Sequence, residues 1–569
     1  MDKTENEVHK PSEINQDIEQ RKSFLKKIFL NWVQDNYDKA FLFVLLAAFL
    51  IRIWIFSITN EQALWWDAAD YMATAKRWAG VNENLIDMWY YRRGFLWPLL
   101  GAGFFMIGIG EIGMRLLVVL FSTGVVLVSY FLISEMFNKK LALLTSIGVT
   151  FSWIFMFFTG RLLTEIPATF FLLTALLFFW KGFMKNQGTK YFILFGIFSA
   201  LAVLTRMQYL MFSVPLLFLV LIRDKHKAFL NKKLWIAILA FVIILIPQLI
   251  IHNAHFGNPI LDLTNYYLGV EGISKTGEVG VKLEKTSDLF LYINNIPYIL
   301  DGSYLDSSNK GYQNLFVPFY LYPVYVLFLI GIFIFIFNLI LGFDKISKDE
   351  ELQKKVFIIF WIITIFIILG YMAPQREQRY IMQSITFLFV IVSFGLFYIE
   401  SLSKKHLNIS NEKAFALIII IMLLAVIPSF MFGKALTLSK KTSYQEIKWA
   451  GEWIKENSLP SDIIIGGSLP QLTYYSERSV YPFELAYRRE MKKTGEEELN
   501  KFILENKPKY YSISIIEREE QWAYEYPQKH QEFMKPVRVF EMNAQPVLVI
   551  YEFDYLGLNT INNSVNSTD

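Results

Sequence analysis

The chain has no cysteine and only six histidines among its 569 residues. Disulfides, thiolate metal sites and cysteine nucleophiles are therefore excluded, and the redox compartment leaves no mark on the sequence. No P-loop pattern occurs, and the single GxGxxG match, Gly108 to Gly113, lies in an apolar run, so a nucleotide donor has no support. Charge is scarce as well. Only 19% of residues are charged, and a net charge of +4 is too small to argue for nucleic acid. No internal repeat is evident, which counts against a transporter built from inverted halves. No short apolar stretch with a small-residue cleavage site precedes the first long apolar run, so that run reads as a retained span.

Apolar residues dominate. They make up 54% of the chain, with 52 Phe and a mean hydropathy of +0.35, a composition of multi-span membrane proteins. A hydrocarbon core of roughly 30 Å needs about 20 apolar residues per helix. On that ruler eleven spans are predicted, at 40–58, 113–134, 141–159, 165–181, 190–205, 208–222, 234–251, 317–341, 355–372, 380–399 and 414–432.

The short, glycine-rich run 94–110 is resolved by charge. If it does not cross, alternate loops carrying Lys139 and Lys140, Lys181 and Lys185, Arg223 to Lys233, Lys345 to Lys355, and Lys404 to Lys413 all lie inside with the N-terminus. The predicted fold is thus a polytopic α-helical membrane protein with about eleven transmembrane helices, N-terminus in and C-terminus out. Segment 1–38 is cytoplasmic, and 39–435 is the membrane module, with outer loops at 59–112 and 252–316. Composition changes sharply after Tyr444. EIKWAGEWIKEN reads as an amphipathic helix, and DIIIGG, YYSISII and VLVIYEF read as strands, so 444–553 is predicted to be a small extracytoplasmic α/β domain. The polar tail 554–569 is predicted to be disordered.

The segment LWWDAADYMATAKRW sets Asp67 and Asp70 just beyond the first span, three apart and so on one helix face, with Tyr71 following. Acids at a membrane edge are costly unless solvated or used. Short outer loops should be poor in Lys and Arg, yet TGRLLTEIPA carries Arg161 and Glu165, TRMQY carries Arg206, and APQREQRY carries Arg376 and Arg379. The arginine fork suits phosphate, and arginines at headgroup depth beside acids point to an anionic lipid headgroup bearing a reactive group. Snorkelling or local pairing with Glu165 and Glu377 is the plainer alternative. Asp67 fits a general base. Asp70 either orients it, binds acceptor or is solvated. A divalent metal on the carboxylate pair stays open, as does a minority reading of His252 and His255 as ligands. The span centres read as apolar, with polar residues at the outer rim.

In order, the acidic motif after span one, the apolar run with a proline, and Arg-Leu-Leu-Thr-Glu-Ile-Pro-Ala (161–168) resemble the GT-C glycosyltransferases. The likeness is greatest to the protein O-mannosyltransferases and lipid A aminoarabinose transferases. The stretch SYQEIKWAGEWIKENSLPSDIIIGGSLPQLTYYSERSV is similar to the outer domain of their bacterial and archaeal relatives. The resemblance implies an inverting transferase that takes sugar from a polyprenyl or dolichyl phosphate and passes it to a protein, lipid or glycan acceptor in the cell membrane. It matches Asp67 to the catalytic base and Glu165 to the acid of the second outer loop. Arg376, Arg379 and Arg206 match basic residues near the lipid phosphate. The family often has Asp-Glu in the first loop, whereas Ala68 follows Asp67 here. Where it usually has His-Pro-Pro or Lys-Pro-Pro stand Arg92 and Arg93, which could meet the phosphate or an anionic acceptor. The rival readings are a transporter or flippase of an anionic lipid or solute, which predicts charges in mid-span, and a non-catalytic scaffold.

Overall fold

The computed structural model describes residues 35–87, 89, 93–260, 289–302, 322–372, 377–486, 493–517, 519–542 and 544–555. Most of the predicted N-terminal segment (1–34), most of the tail (556–569) and most of loop 252–316 lie outside them. The chain begins with α1 (Asn36–Thr59), α2 (Trp66–Trp78), α3 (Leu96–Met106) and α4 (Gly110–Met136). It continues through α5 (Lys139–Phe151), α6 (Trp153–Thr159), α7 (Glu165–Phe179), α8 (Thr189–Thr205), α9 (Ser213–Asp224) and α10 (Lys232–Phe256). Short α11 (Leu291–Asn294) and α12 (Ile296–Asp301) lead to α13 (Pro323–Leu341), α14 (Glu350–Met372), α15 (Met382–Leu407), α16 (Asn411–Ala425) and α17 (Ile427–Ser439).

Among the described residues nine helical segments are long and apolar enough to cross a membrane, or ten if the pair α5–α6, bent by 50°, counts as one span. All ten fall on predicted spans. The remaining predicted span, 190–205, is α8, a helix of 17 residues rising about 25 Å. Helix α3 has 11 residues and rises about 16 Å. That is too short to cross, as the charge pattern required.

The expectation of apolar span centres fails at Arg52, which is fully buried within α1. The break at Ser152 between α5 and α6 strips the last carbonyls of α5 of their helical donors. Arg52 Nη1 donates to Thr150 O at 2.6 Å, Nη2 to Val149 O at 3.4 Å and Nε to Ser122 Oγ at 3.4 Å. A guanidinium thus supplies the hydrogen bonds that bilayer hydrocarbon cannot. This charge is consumed by structure, so it lends nothing to a transport pathway.

Helices α13 and α15 cross with backbones almost touching. A Cβ on Gly395 would lie 2.2 Å from Leu327 O, and one on Gly331 would lie 1.9 Å from Ile391 O. Small residues permit such crossings where lipid offers no hydrophobic drive between helices.

Beyond the bundle, α18 (Gln445–Asn457) buries Ile447, Ala450, Gly451 and Ile454, the one-sided spacing expected of an amphipathic helix. It packs on a five-stranded sheet in the order β2-β1-β3-β5-β4, formed by β1 (Ile463–Gly466), β2 (Ser479–Tyr481), β3 (Tyr510–Ser514), β4 (Met534–Met542) and β5 (Gln545–Phe553). β1 pairs in parallel with β2 and β3, crossing over through α19 (Leu469–Ser476) and α20 (Glu496–Asn506), while β5 runs antiparallel to β3 and β4.

Substituting Gly395→Ala is expected to lower the thermal unfolding midpoint in detergent, because the new methyl meets backbone and the overpacking costs about 1–3 kcal/mol. Gly103→Ala, in α3 with nothing within 4 Å of the new atom, should leave the midpoint unchanged or raise it. Equal effects of the two changes would refute the tight crossing.

Candidate active site

Helix α2 begins after Trp65 in extended conformation, with no side-chain cap and with Asp67 in its first turn, where a negative charge complements the helix dipole. Every residue from Ala68 to Ala75 is buried, and small side chains let both neighbours approach. A Cβ on Gly101 of α3 would lie 2.8 Å from the Ala75 methyl. On another side stands α19 of the sheet domain. Leu64 N donates to Tyr475 Oη at 2.8 Å, and Lys76 Nζ donates to Tyr474 O at 2.9 Å and pairs with Glu477 at 2.8 Å. The sheet domain therefore sits at the Asp67 end of the bundle and grips the helix that carries Asp67.

The i, i+3 spacing does place both carboxylates on one face, and one guanidinium spans them. Arg93 Nη2 lies 3.0 Å from Asp67 Oδ1 and Nη1 lies 2.6 Å from Asp70 Oδ2, with Arg93 Cζ 4.9 Å from the Tyr71 ring centre. Arg379, in the 3₁₀ turn ahead of α15, takes the other Asp67 oxygen at 2.9 Å. It also lies 3.3 Å from Glu165 and 2.5 Å from Glu377. Arg206, between α8 and α9, pairs with Glu165 at 3.2 Å and donates to Thr164 Oγ1 at 3.0 Å. Four carboxylates thus share three guanidiniums, drawn from five separate stretches of chain.

The two aspartates have opposite electrostatics. Burial pushes the Asp67 carboxyl up, but Arg93, Arg379 and Arg206 outweigh it and hold the group at about 2. Asp70 is more deeply buried, 4% exposed against a third of the Asp67 side chain. Desolvation together with the Asp67 charge raises it to about 6 against the pull of Arg93. Among the described residues its Oδ1 has no hydrogen-bond partner. Burial raises the Tyr71 hydroxyl too.

Arg93 is held by its own backbone. Gln248 of α10 donates from Nε2 to Arg93 O at 3.3 Å and accepts from Phe95 N at 3.2 Å, while His252 lies 2.7 Å from the same Nε2. Between these two points a Cβ on Gly94 would lie 1.9 Å from Leu204 O, so only glycine allows the segment to lie against the end of α8. The sequence offers Glu377 only as a local partner for arginine, as it is for Arg379, and gives Gln248 and Thr164 no role. A polar residue inside the apolar run of α10 was a usable signal for Gln248.

Arg161 does not join the cluster. It is buried, donates to Gln62 Oε1 and lies with Cζ 4.0 Å from the Trp65 ring centre, and burial pushes it down to about 9. It forms no ion pair among the described residues, because Trp65 and Gln62 fill its surroundings. Arg376 and Arg92 lie outside the described residues. His252 is engaged by Gln248 and Pro259 O, and His255 packs on Phe256. No group of three or more His, Asp or Glu among the described residues is arranged to hold a metal ion. Around Asp67 the places a cation would take are filled by arginines, so the donor set does not fit a divalent metal.

Residues 93–251, a stretch that includes Arg93 and Gln248, match the dolichyl-phosphate-mannose-protein mannosyltransferase family. No curated protein matches the sequence. The structure is similar to that of ArnT from Cupriavidus metallidurans bound to undecaprenyl phosphate, with a TM-score of 0.61 at 13% identity, covering 92% of this chain and 98% of ArnT. It is also similar to the oligosaccharyltransferase of Archaeoglobus fulgidus tethered to an acceptor peptide, with a TM-score of 0.57 at 14% identity, covering 85% of this chain and 70% of that one. The chain is a multi-pass membrane protein with the GT-C fold of these glycosyltransferases.

Proposed function

We propose that the protein is an inverting glycosyltransferase that moves a sugar from a polyprenyl- or dolichyl-phosphate donor to an acceptor hydroxyl at the outer face of the membrane. The observation that carries this reading is Asp67, held by Arg93 and Arg379 from two unconnected segments. The relative bound to undecaprenyl phosphate and the one tethered to an acceptor peptide support the two substrate classes.

The step is a single displacement. Asp67 takes the proton of the acceptor hydroxyl, whose oxygen bonds to the anomeric carbon from the face opposite the phosphate. The carbon–oxygen bond to phosphate breaks, and its electron pair leaves with the phosphate. That leaving group needs no acid, only cations where charge develops. A carboxylate with a pKa near 2 is a poor base, and the site supplies the remedy. A guanidinium that turns from Asp67 to the phosphate stabilises the leaving group and raises the basicity of Asp67 in the same movement. Arg93, Arg379 and Arg206 are the guanidiniums placed to do this. Asp70 steadies Arg93, Glu165 steadies Arg206 and Arg379, and Tyr71 lies against Arg93.

With polyprenyl-phosphate sugars as a panel, release of polyprenyl phosphate should fall by about 10²–10⁴-fold in Asp67→Asn while donor binding persists. Normal turnover by this variant would refute the base, and no release from any donor by the wild type would favour transport.

Donor affinity should also depend on pH through Asp70. With Asp70 ionised, the four acids outnumber the three arginines by one. A phosphodiester entering beside them favours the protonated acid, so binding is coupled to proton uptake. The native pKa lies above the ordinary 3.8, at about 6, so affinity should weaken as pH rises from below to above 6. Asp67, near 2, stays ionised throughout. Isothermal titration of donor between pH 5 and 7.5 should show this slope in the wild type and none in Asp70→Asn. A slope that survives in the variant assigns it to another group.

A further inference from the structure

Helices α7, α8 and α10 each reach the site toward one end, and their other ends, with that of α9, border a second feature. A cavity of about 270 Å³ is lined by Gly182, Phe183, Asn186, Arg223, Asp224 and Lys233, among others. Helix α8 runs from Phe192, which lines it, to Thr205 beside Arg206, which separates cavity and site by about 20 Å. It is a different place with different chemistry.

Its lining is polar and its surroundings are basic. Lys233 Nζ donates to Asn186 Oδ1 at 2.8 Å. Arg223 Nη1 donates to Met184 O at 3.1 Å, with Cζ 5.2 Å from the Phe183 ring centre. The stretch 223–233 holds Arg223, Lys225, Lys227, Lys232 and Lys233 against Asp224 alone, and Asp224 lies as far as 3.9 Å from Arg223 Nε. Lys181 and Lys185 are occupied by Glu135, so they do not offset Asp224. The end of α7 unwinds into a π-helical stretch, Trp180–Met184, a distortion found often at functional sites. Here it turns the Met184 carbonyl to Arg223.

The depth of the cavity selects the kind of anion. Phe229, Leu230 and Trp235 stand beside it more than half exposed, with Trp235 Nε1 bonded to Phe229 O at 2.8 Å. Exposed tryptophan with aliphatic neighbours at the end of a span marks headgroup depth. Basic pockets between spans at that depth suit lipid phosphate.

We propose that the cavity between α7, α9 and α10 binds the phosphate of an anionic bilayer lipid, with Arg223 and Lys233 as its cationic contacts and Asn186 as its polar one. The acyl chains would lie against the exposed apolar face at Leu230 and Trp235.

The test uses the full-length protein in detergent with phosphatidylglycerol, phosphatidylcholine or inorganic phosphate, read by native mass spectrometry and thermal unfolding. Phosphatidylglycerol should bind and raise the unfolding midpoint, whereas phosphatidylcholine and inorganic phosphate should not. Arg223→Gln with Lys233→Gln should weaken phosphatidylglycerol binding about 30-fold, the loss of two cations near the surface. Lys233→Gln alone should weaken it about fivefold, which keeps the test open if the double variant folds poorly. Lys501→Gln, on an exposed face of the sheet domain, should change nothing. Equal binding of both lipids, protection by inorganic phosphate equal to that by phosphatidylglycerol, or unchanged binding in the variants would each overturn the assignment. None of these readouts involves sugar transfer, so the outcome is independent of the glycosyltransferase reading.

Discussion

The fork that Arg93 throws across Asp67 and Asp70 is the contact on which the site's assembly depends. It exists because two acids lie one helical turn apart and because a guanidinium can donate in two directions at once. Without it, two like charges would face each other in a partly desolvated space. With it, Asp67 is free to use its second oxygen for Arg379, which brings in Glu165 and Glu377. First loop, second loop and the turn before α15 are thereby tied at one point. Arginine suits this better than lysine, since each link needs a planar, multidirectional donor.

The two aspartates also show how near-identical sequence positions acquire different chemistry. Both sit on α2, both face Arg93, and only three residues separate them. Exposure and the number of arginines decide the rest: Asp67 has three cations acting on it, whereas Asp70 has one cation, one like charge and almost no water. Environments that pull two carboxyls apart in this way commonly mark divided roles in a reaction.

Much of this was legible beforehand. Span positions follow from apolar length, and the reading of run 94–110 as a re-entrant or surface-lying helix that does not cross follows from lysine placement. Asp67, Asp70, Glu165, Arg206 and Arg379 were legible because charges at a membrane edge are few and each needs a reason. Arg161 obeyed the same rule and yet answers to a ring and an amide, since sequence does not tell which neighbour reaches a guanidinium first. Arg52 is not legible in the sequence because a single charge in a long apolar run barely alters its hydropathy. Its reason, the break at Ser152, belongs to another helix. Gln248 is of the same kind, a polar residue whose backbone partners, Arg93 and Phe95, lie more than 150 positions away in the chain.

Helix α10 has Lys233 at one end, on the basic cavity, and Gln248 near the other, on the backbone of Arg93. Fifteen residues apart, these two points are joined by a rod of about 22 Å that runs through most of the hydrocarbon. Membrane thickness sets how such a rod tilts. A tilt that displaces Lys233 in one leaflet displaces Gln248 in the other, and with it the guanidinium laid across the two aspartates. A change in bilayer thickness that altered this tilt would therefore reach the Arg93 fork from the far end of α10.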